Sequence, residues 1–441
     1  MKFEKNFILT ILSPLVFSGV MMGIIPSILI FAVMLYGVFN LNRHEAIIVI
    51  SFSFRPVLGV LFSIYNIGIP GSLVCLLLSL FLSLKDLKIL LANNLTSLKY
   101  IAFMWFIMFL FYIVTGKTEN STEKIIVLTQ LTIFNLLSVF VLSTFSDIKP
   151  RQIAPLFLYA GIFFIAAAHD YYGYPMMTNL FDFETFRLVS EERMHSLLPF
   201  VGYHLPGILC IFALSYFFSV EKKMKLDSWV LLAISMWIAL VSGARQSILG
   251  IIIVFGAWIV LRNGKGIKMS SIIFSVILIS LLMFILYSFE FEIFYSFFQK
   301  DSTVQESLNR DWEYPLLIIL TNFNYGVGFG NYENPFIENE VYPHNLILEI
   351  MCEMGALGML IIIIVLAFWL IRERPHFMQK LNSGSIAMIL FLPYFIRSMI
   401  SEDLSHNFIL FIVVFSFFTA KSLYKKDGVR QFSIARNSSK S

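Results

Sequence analysis

Charge is what this chain has least of. Only 14% of its 441 residues are Asp, Glu, Lys or Arg, whereas a soluble domain carries roughly 25%. A surface so poor in charge cannot be wetted on every side, and an ordinary soluble domain is excluded. Cysteine is scarce too. Cys75, Cys210 and Cys352 each fall in or against an apolar stretch, which excludes a disulfide framework and a thiolate metal site. No internal repeat or low-complexity tract is visible. The first apolar run has no small-residue cleavage site and leads directly into a second, so it reads as a span and not as a cleaved signal peptide.

What is present is apolar: 58% hydrophobic and 16% aromatic residues, with a mean hydropathy of +0.81. Runs near the length that crosses a hydrocarbon layer of ~30 Å recur along the chain. The expected fold is all-α, a polytopic transmembrane helical bundle of about fourteen spans. They fall near 7–21, 24–39, 46–62, 70–84, 99–115, 125–145, 153–168, 198–219, 228–241, 247–261, 269–288, 346–370, 384–399 and 406–420. The positive-inside rule supports this count. With the N-terminus inside, 23 of the 32 Lys and Arg fall in inner segments and 8 in outer ones, and Arg55 lies within a span. The bias alternates loop by loop, so both ends are placed in the cytoplasm. The net charge of +4 thus reports topology and not a nucleic-acid partner.

The expected organisation is 1–168 as N-terminal transmembrane helices and 169–197 as a first large periplasmic loop. Central transmembrane helices follow at 198–288 and a second large periplasmic loop at 289–345. Residues 346–441 carry the C-terminal helices and a basic cytoplasmic tail. The second loop opens with an interfacial helix (290–299) and a capping signal at 301–306 for a short amphipathic helix. Two excursions on one face suggest that this face does the work.

Arginines on the outer side are the clearest chemical signal. Arg245 lies in a very short turn, Val241-Ser242-Gly243-Ala244-Arg245-Gln246-Ser247, between two apolar spans. At bilayer depth an arginine costs ~2.5–3.5 kcal/mol, and its planar fork can grip a phosphate with two bonds; snorkelling to headgroups or a carboxylate partner is the other reading. Arg193 has Glu191 and Glu192 beside it, and Arg310 has Asp311 and Glu313, so internal ion pairs compete with ligand binding at both. Arg397 reads as a partner for Glu402 and Asp403. Arg55, followed by Pro56, fills a cavity or caps carbonyls freed by the proline.

His344 follows Pro343 and begins an apolar span, which sets its ring at the membrane boundary. An imidazole with an ordinary pKa near 6.5 suits general-base work at neutral pH; an interfacial or capping role is the alternative. Glu349 and Glu353, four residues apart, share a helix face. They can orient the imidazole, pair with an arginine or simply be solvated at the helix end. Gly326-x-Gly328-x-Gly330 lacks a βαβ context and is no dinucleotide fingerprint; it permits a tight turn close to a ligand or to the bundle. Asp182 and Glu184 form a weak divalent-metal candidate, best read as a solvated turn.

The C-terminal half resembles the O-antigen ligase/polymerase superfamily, membrane enzymes that handle undecaprenyl-diphosphate-linked glycans. The resemblance is carried by Ser242-Gly243-Ala244-Arg245, Arg310-x-Trp312, Gly326-x-Gly328-x-Gly330-Asn331, His344-Asn345-x-x-Leu348-Glu349 and Glu353-x-Gly355-x-x-Gly358, in the family's order. Arg193 resembles its upstream arginine, with Met194-His195-Ser196 departing from the usual small residues. The resemblance implies a metal-independent, cofactor-free, inverting glycosyltransferase of the bacterial inner membrane, working at the periplasmic face on a lipid-linked donor and acceptor. His344 is then the base, with Arg245, Arg193 and Arg310 on the diphosphate, and Asn345, Glu349, Glu353, Gly328 and Gly330 in support. A chain-length regulator and a flippase are the partners it implies. The span count and the two outer loops favour a polymerase over a ligase that transfers finished glycan to lipid A core or protein. A lipid-linked oligosaccharide flippase would have equal halves and small outer loops, unlike this chain.

Overall fold

The computed structural model describes residues 25–64, 70–116, 118–145, 148–172, 196–198, 201–202, 205–219, 224–241, 245–261, 313–333, 345–382 and 403–419. It also describes 67, 221, 343, 391, 394–395 and 397–399. The described residues are helical apart from short connections and one ribbon, Ser196–Leu198 paired antiparallel with Val201–Gly202. Among the described residues, five helices are long and apolar enough to cross a membrane: Arg43–Ser63, Leu87–Thr115, Glu119–Thr144, Pro150–Ala168 and Leu346–Pro375. Shorter apolar helices cover Ser27–Phe39, Gly71–Ser83, Leu205–Phe218, Leu226–Ala239, Ser247–Ile259 and Leu404–Thr419. These fall on the stretches expected from sequence. The stretches at 7–21 and 269–288, and part of 384–399, lie outside the described residues, as do the helices expected at 290–299 and 301–306.

The layering follows from hydrophobicity. The Pro150–Tyr172 helix is buried on all sides from Ile153 to Ala168, and the Leu205–Phe218 helix packs along it, equally buried. Helices apolar all round belong in such a centre. The Leu87–Thr115 and Leu346–Asn382 helices lie outside, exposing Phe103, Phe106, Ile113, Ile363, Ile364, Phe368 and Ile371. Contiguous apolar faces of this kind suit lipid and not water. Small residues bring helices together, as they do in membranes. A Cβ on Gly207 would lie 2.1 Å from Ser247 Oγ, so the first turns of the Leu205 and Arg245 helices touch. Polar side chains bond across helices: Asn94 donates to Thr144 Oγ1 at 2.8 Å and accepts from Ser143 Oγ at 3.0 Å.

Three boundaries differ from the sequence reading. The expected inner connection at 85–98 is helical from Leu87, because Asn94 and Ser97 find partners inside the bundle instead of water. The stretch at 198–219 becomes helical only at Leu205. Pro199 disfavours helical backbone at the residue before it, and Pro206 sits in a first turn, where its missing N–H costs nothing. The span expected at 346–370 runs on to Asn382 but is broken at Gly355, with φ 63° and ψ −167°.

At Arg55, the residues before Pro56 form a π-helical turn, Ile50–Phe54. Proline removes a backbone donor and crowds the preceding turn, and a π-turn absorbs that misfit. The Arg55 guanidinium lies 5.3 Å from the centre of the Phe134 ring.

Candidate functional site

Four pieces of chain meet at one end of the bundle: the end of the Leu87 helix at Thr115, the start of the Glu119 helix, the glycine loop 323–331 and the first turns of the Leu346 helix. The break at Gly355 organises them. In lipid every backbone polar group must find a partner within the protein, and a broken helix strands several. Here the loop supplies them. Val327 N–H donates to Cys352 O at 2.8 Å, Gly328 N–H to Glu353 O at 3.0 Å, Ala356 N–H to Phe323 O at 2.7 Å and Leu357 N–H to Asn324 O at 3.1 Å. The glycines are there for space as well as conformation. A Cβ on Gly326 would sit 2.4 Å from Glu353 C, and one on Gly330 would sit 2.5 Å from Ser121 Cα. Gly326, Gly328 and Gly330 have φ of 70°, 105° and 68°, in the left-handed region that glycine enters freely.

Asn331 ties the other side of the loop. Its Nδ2 donates to Thr115 O and its Oδ1 accepts from Thr118 Oγ1, both at 2.9 Å. Phe329 N–H donates to Thr115 Oγ1 at 3.0 Å. Thr118 and Ser121 form a reciprocal capping box on the Glu119 helix, so one threonine caps a helix and anchors the loop.

Beneath this lid lies a buried ion triad. Lys124 Nζ donates to Glu349 Oε1 and to Glu353 Oε1, the latter at 2.5 Å. Both glutamates are fully buried, and Lys124 is nearly so. The ammonium also lies 5.5 Å from the centre of the Phe329 ring, which belongs to the loop. Among the described residues, Glu349 Oε2 has no hydrogen-bond partner, while the Gly330 backbone hydrogen-bonds to the Glu353 carboxylate. Two carboxylates thus face one ammonium in a site sealed from water. Removing one member of such a buried set typically costs ~3–5 kcal/mol.

Nearby, Asp403 caps the Leu404–Asn407 turn. Its oxygens accept from His406 N–H at 3.1 Å and Ser405 Oγ at 2.6 Å, and one lies 2.5 Å from His406 Nδ1. Burial works to raise this carboxyl, but His406 and the Lys124 charge together hold it below the usual carboxylate range. The sequence reading pairs Arg397 with Glu402 and Asp403; Glu402 lies outside the described residues, and the Asp403 oxygens accept from Ser405 and His406, which the turn already places.

The structure brings together part of the predicted site. Glu349 and Glu353 do share a face, and among the described residues their partner is Lys124. Gly328 and Gly330 serve close approach to the bundle. Asn345 is the cap of the Leu346 helix: its Oδ1 accepts from Ile347 N–H at 2.9 Å and Leu348 N–H at 3.2 Å, and its Nδ2 donates to Met399 O at 3.2 Å. Arg245 begins the Arg245–Leu261 helix; its side chain lies outside the described residues. His344, Arg193 and Arg310 lie outside them entirely, as do Asp182 and Glu184.

Lys124 is the residue the sequence reading missed. It stands among the outer-loop charges, one residue before the span expected at 125–145. The available signal was on the partner helix: two glutamates at one face of a greasy span need a cation, and Lys124 starts another span on the same side.

Residues 230–363 match a family model described as O-antigen ligase. The match supports the O-antigen ligase/polymerase superfamily, whose members are glycosyltransferase-type membrane enzymes. It covers Arg245, Arg310, the glycine loop, His344, Glu349, Glu353 and Gly355, and it leaves out Lys124 and Arg193. No curated protein matches the chain.

Proposed function

We propose that the protein polymerises a surface polysaccharide. In this reading it joins undecaprenyl-diphosphate-linked oligosaccharide repeats at the periplasmic face of the inner membrane by inverting glycosyl transfer. The supporting observation is that the glycine loop, the Glu349–Glu353 pair and the cap at Asn345 meet at one end of the Leu346 helix, inside the matched segment. His344, next to Asn345 in the chain, takes the proton from the acceptor hydroxyl. Arg245, Arg193 and Arg310 neutralise the diphosphate as the glycosidic bond breaks; preorganised positive charge at a departing anion is among the largest contributions to catalysis. The apolar outer helices provide a lateral surface for the polyprenyl chain, and the donor arrives already activated on lipid. In full the bundle has about fourteen spans with both ends in the cytoplasm.

The description of the matching family favours one second reading, a ligase that moves finished glycan onto lipid A core. Surface polysaccharide from a deletion strain separates the two on a gel. A single core-plus-one-repeat band supports the polymerase; loss of all attached glycan, long and short, supports the ligase.

Two further results are expected. Arg245→Lys lowers transfer in reconstituted vesicles by roughly 10- to 100-fold, since a point charge replaces a two-pronged donor and hydrogen bonds to charged groups are worth ~1.5–3 kcal/mol. Full activity in that variant would make Arg245 structural. A chelator leaves the rate unchanged. A loss restored by a divalent cation would instead move attention to Asp182 and Glu184.

A further inference from the structure

We infer that Lys124 is a positioning residue for the transfer reaction, holding the Leu346 helix in one register against the Glu119 helix through Glu349 and Glu353. The inference rests on the transferase reading above.

Geometry makes the contact sensitive to register. Lys124 Nζ bonds one oxygen from each of two glutamates one helical turn apart. A slip of one residue turns a helix by about 100°, and the ammonium would lose both carboxylates together. An apolar contact at the same place would tolerate such a slip, because methyl and methylene groups are interchangeable in a way a paired charge is not.

Position gives the contact its purpose. The Leu346 helix is held at its start by the Asn345 bonds to Ile347, Leu348 and Met399, and at Gly355 by the loop. Lys124 grips the stretch between these points. Through Phe329 the same ammonium touches the glycine loop, and its helix carries Thr118 and Ser121, against which that loop is docked. One side chain therefore contacts all three elements around the chain segment that leads out of His344.

The energetics point the same way. Well-packed apolar residues of similar volume often hold a fold at least as firmly as a buried ion set. What such residues do not supply is a unique alignment.

The test uses the full chain in proteoliposomes with a lipid-linked repeat unit as donor and acceptor. Lys124→Met alone strands two carboxylates and is expected to accumulate poorly. The informative variant is the charge-free, apolar triple replacement K124M/E349M/E353M. It is expected to accumulate and melt close to wild type and to keep its donor KM within about threefold, while kcat falls about 100-fold, the scale of a misplacement of ~1 Å. A wild-type kcat in that variant would overturn the inference. So would a loss that merely tracks the folded fraction, or failure to accumulate, since the triad would then be a folding element. A wild-type protein inert on every lipid-linked donor would sink the transferase reading itself, a different outcome from an active wild type with an unaffected variant.

Discussion

His344→Ala is expected to abolish glycan chain extension, with a loss of roughly 10²- to 10⁴-fold, the range that a positioned general base contributes. The protein should still insert and accumulate. The backbone on either side of position 344 is held without the imidazole: Asn345 N–H donates to Pro343 O at 2.7 Å, Asn345 caps the Leu346 helix, and Pro343 is buried. Polysaccharide length on a gel, read beside membrane abundance by immunoblot, checks this. Wild-type chain lengths at normal abundance would remove the base assignment; short chains together with lost protein would make His344 structural.

The second large effect is expected at Gly355. Its φ of 63° with ψ of −167° lies in a region essentially reserved for glycine and costs an L-residue roughly 1–3 kcal/mol. Space is the larger obstacle. A Cβ there would lie 2.5 Å from Gly326 N and 2.5 Å from Tyr325 N, backbone atoms that cannot step aside. Gly355→Val therefore expels the loop and strands the backbone groups it serves: the N–H of Ala356 and Leu357, and the carbonyls of Cys352 and Glu353. At ~0.5–1.5 kcal/mol for each bond, the strain and the four lost bonds together reach several kcal/mol, a large part of a typical folding free energy of ~5–15 kcal/mol. The variant should lose more than half of its folded material and nearly all transfer. Gly59→Ala is the control, because nothing lies within 4 Å of the Cβ it adds; its melting temperature should stay put or rise slightly. A Gly355→Val protein that melts and works like wild type would show that the loop does not need the break.

Much of the helical framework was legible because apolar runs leave little choice: a segment such as Glu119–Thr144, with two small polar caps and a long greasy body, cannot be much else. The glycine run and the Glu349–Glu353 spacing also announced a site. What sequence could not supply was long-range pairing. Lys124 lies 225 residues from Glu349, and its local sequence looks like any solvated helix start. Only the fold shows that the turn is covered by the loop. Gly355 illustrates a second limit. Its place in a Glu-x-Gly-x-x-Gly pattern flagged it, yet a helix break in lipid becomes tolerable only if another segment fills it, and nothing in residues 346–358 names that segment. The connection at 85–98 failed for a related reason. Lys85, Lys88, Asn93 and Asn94 read as a polar loop until Asn94 is seen bonded to Thr144.

The most direct test is transfer by the purified protein. Proteoliposomes holding only this chain and an undecaprenyl-diphosphate-linked repeat unit should yield lipid-linked oligomers of increasing length, with one undecaprenyl diphosphate released for each bond formed, and the His344→Ala protein should yield none. A wild-type protein that leaves the repeat unit monomeric, and also fails to pass it to lipid A core, would contradict the account.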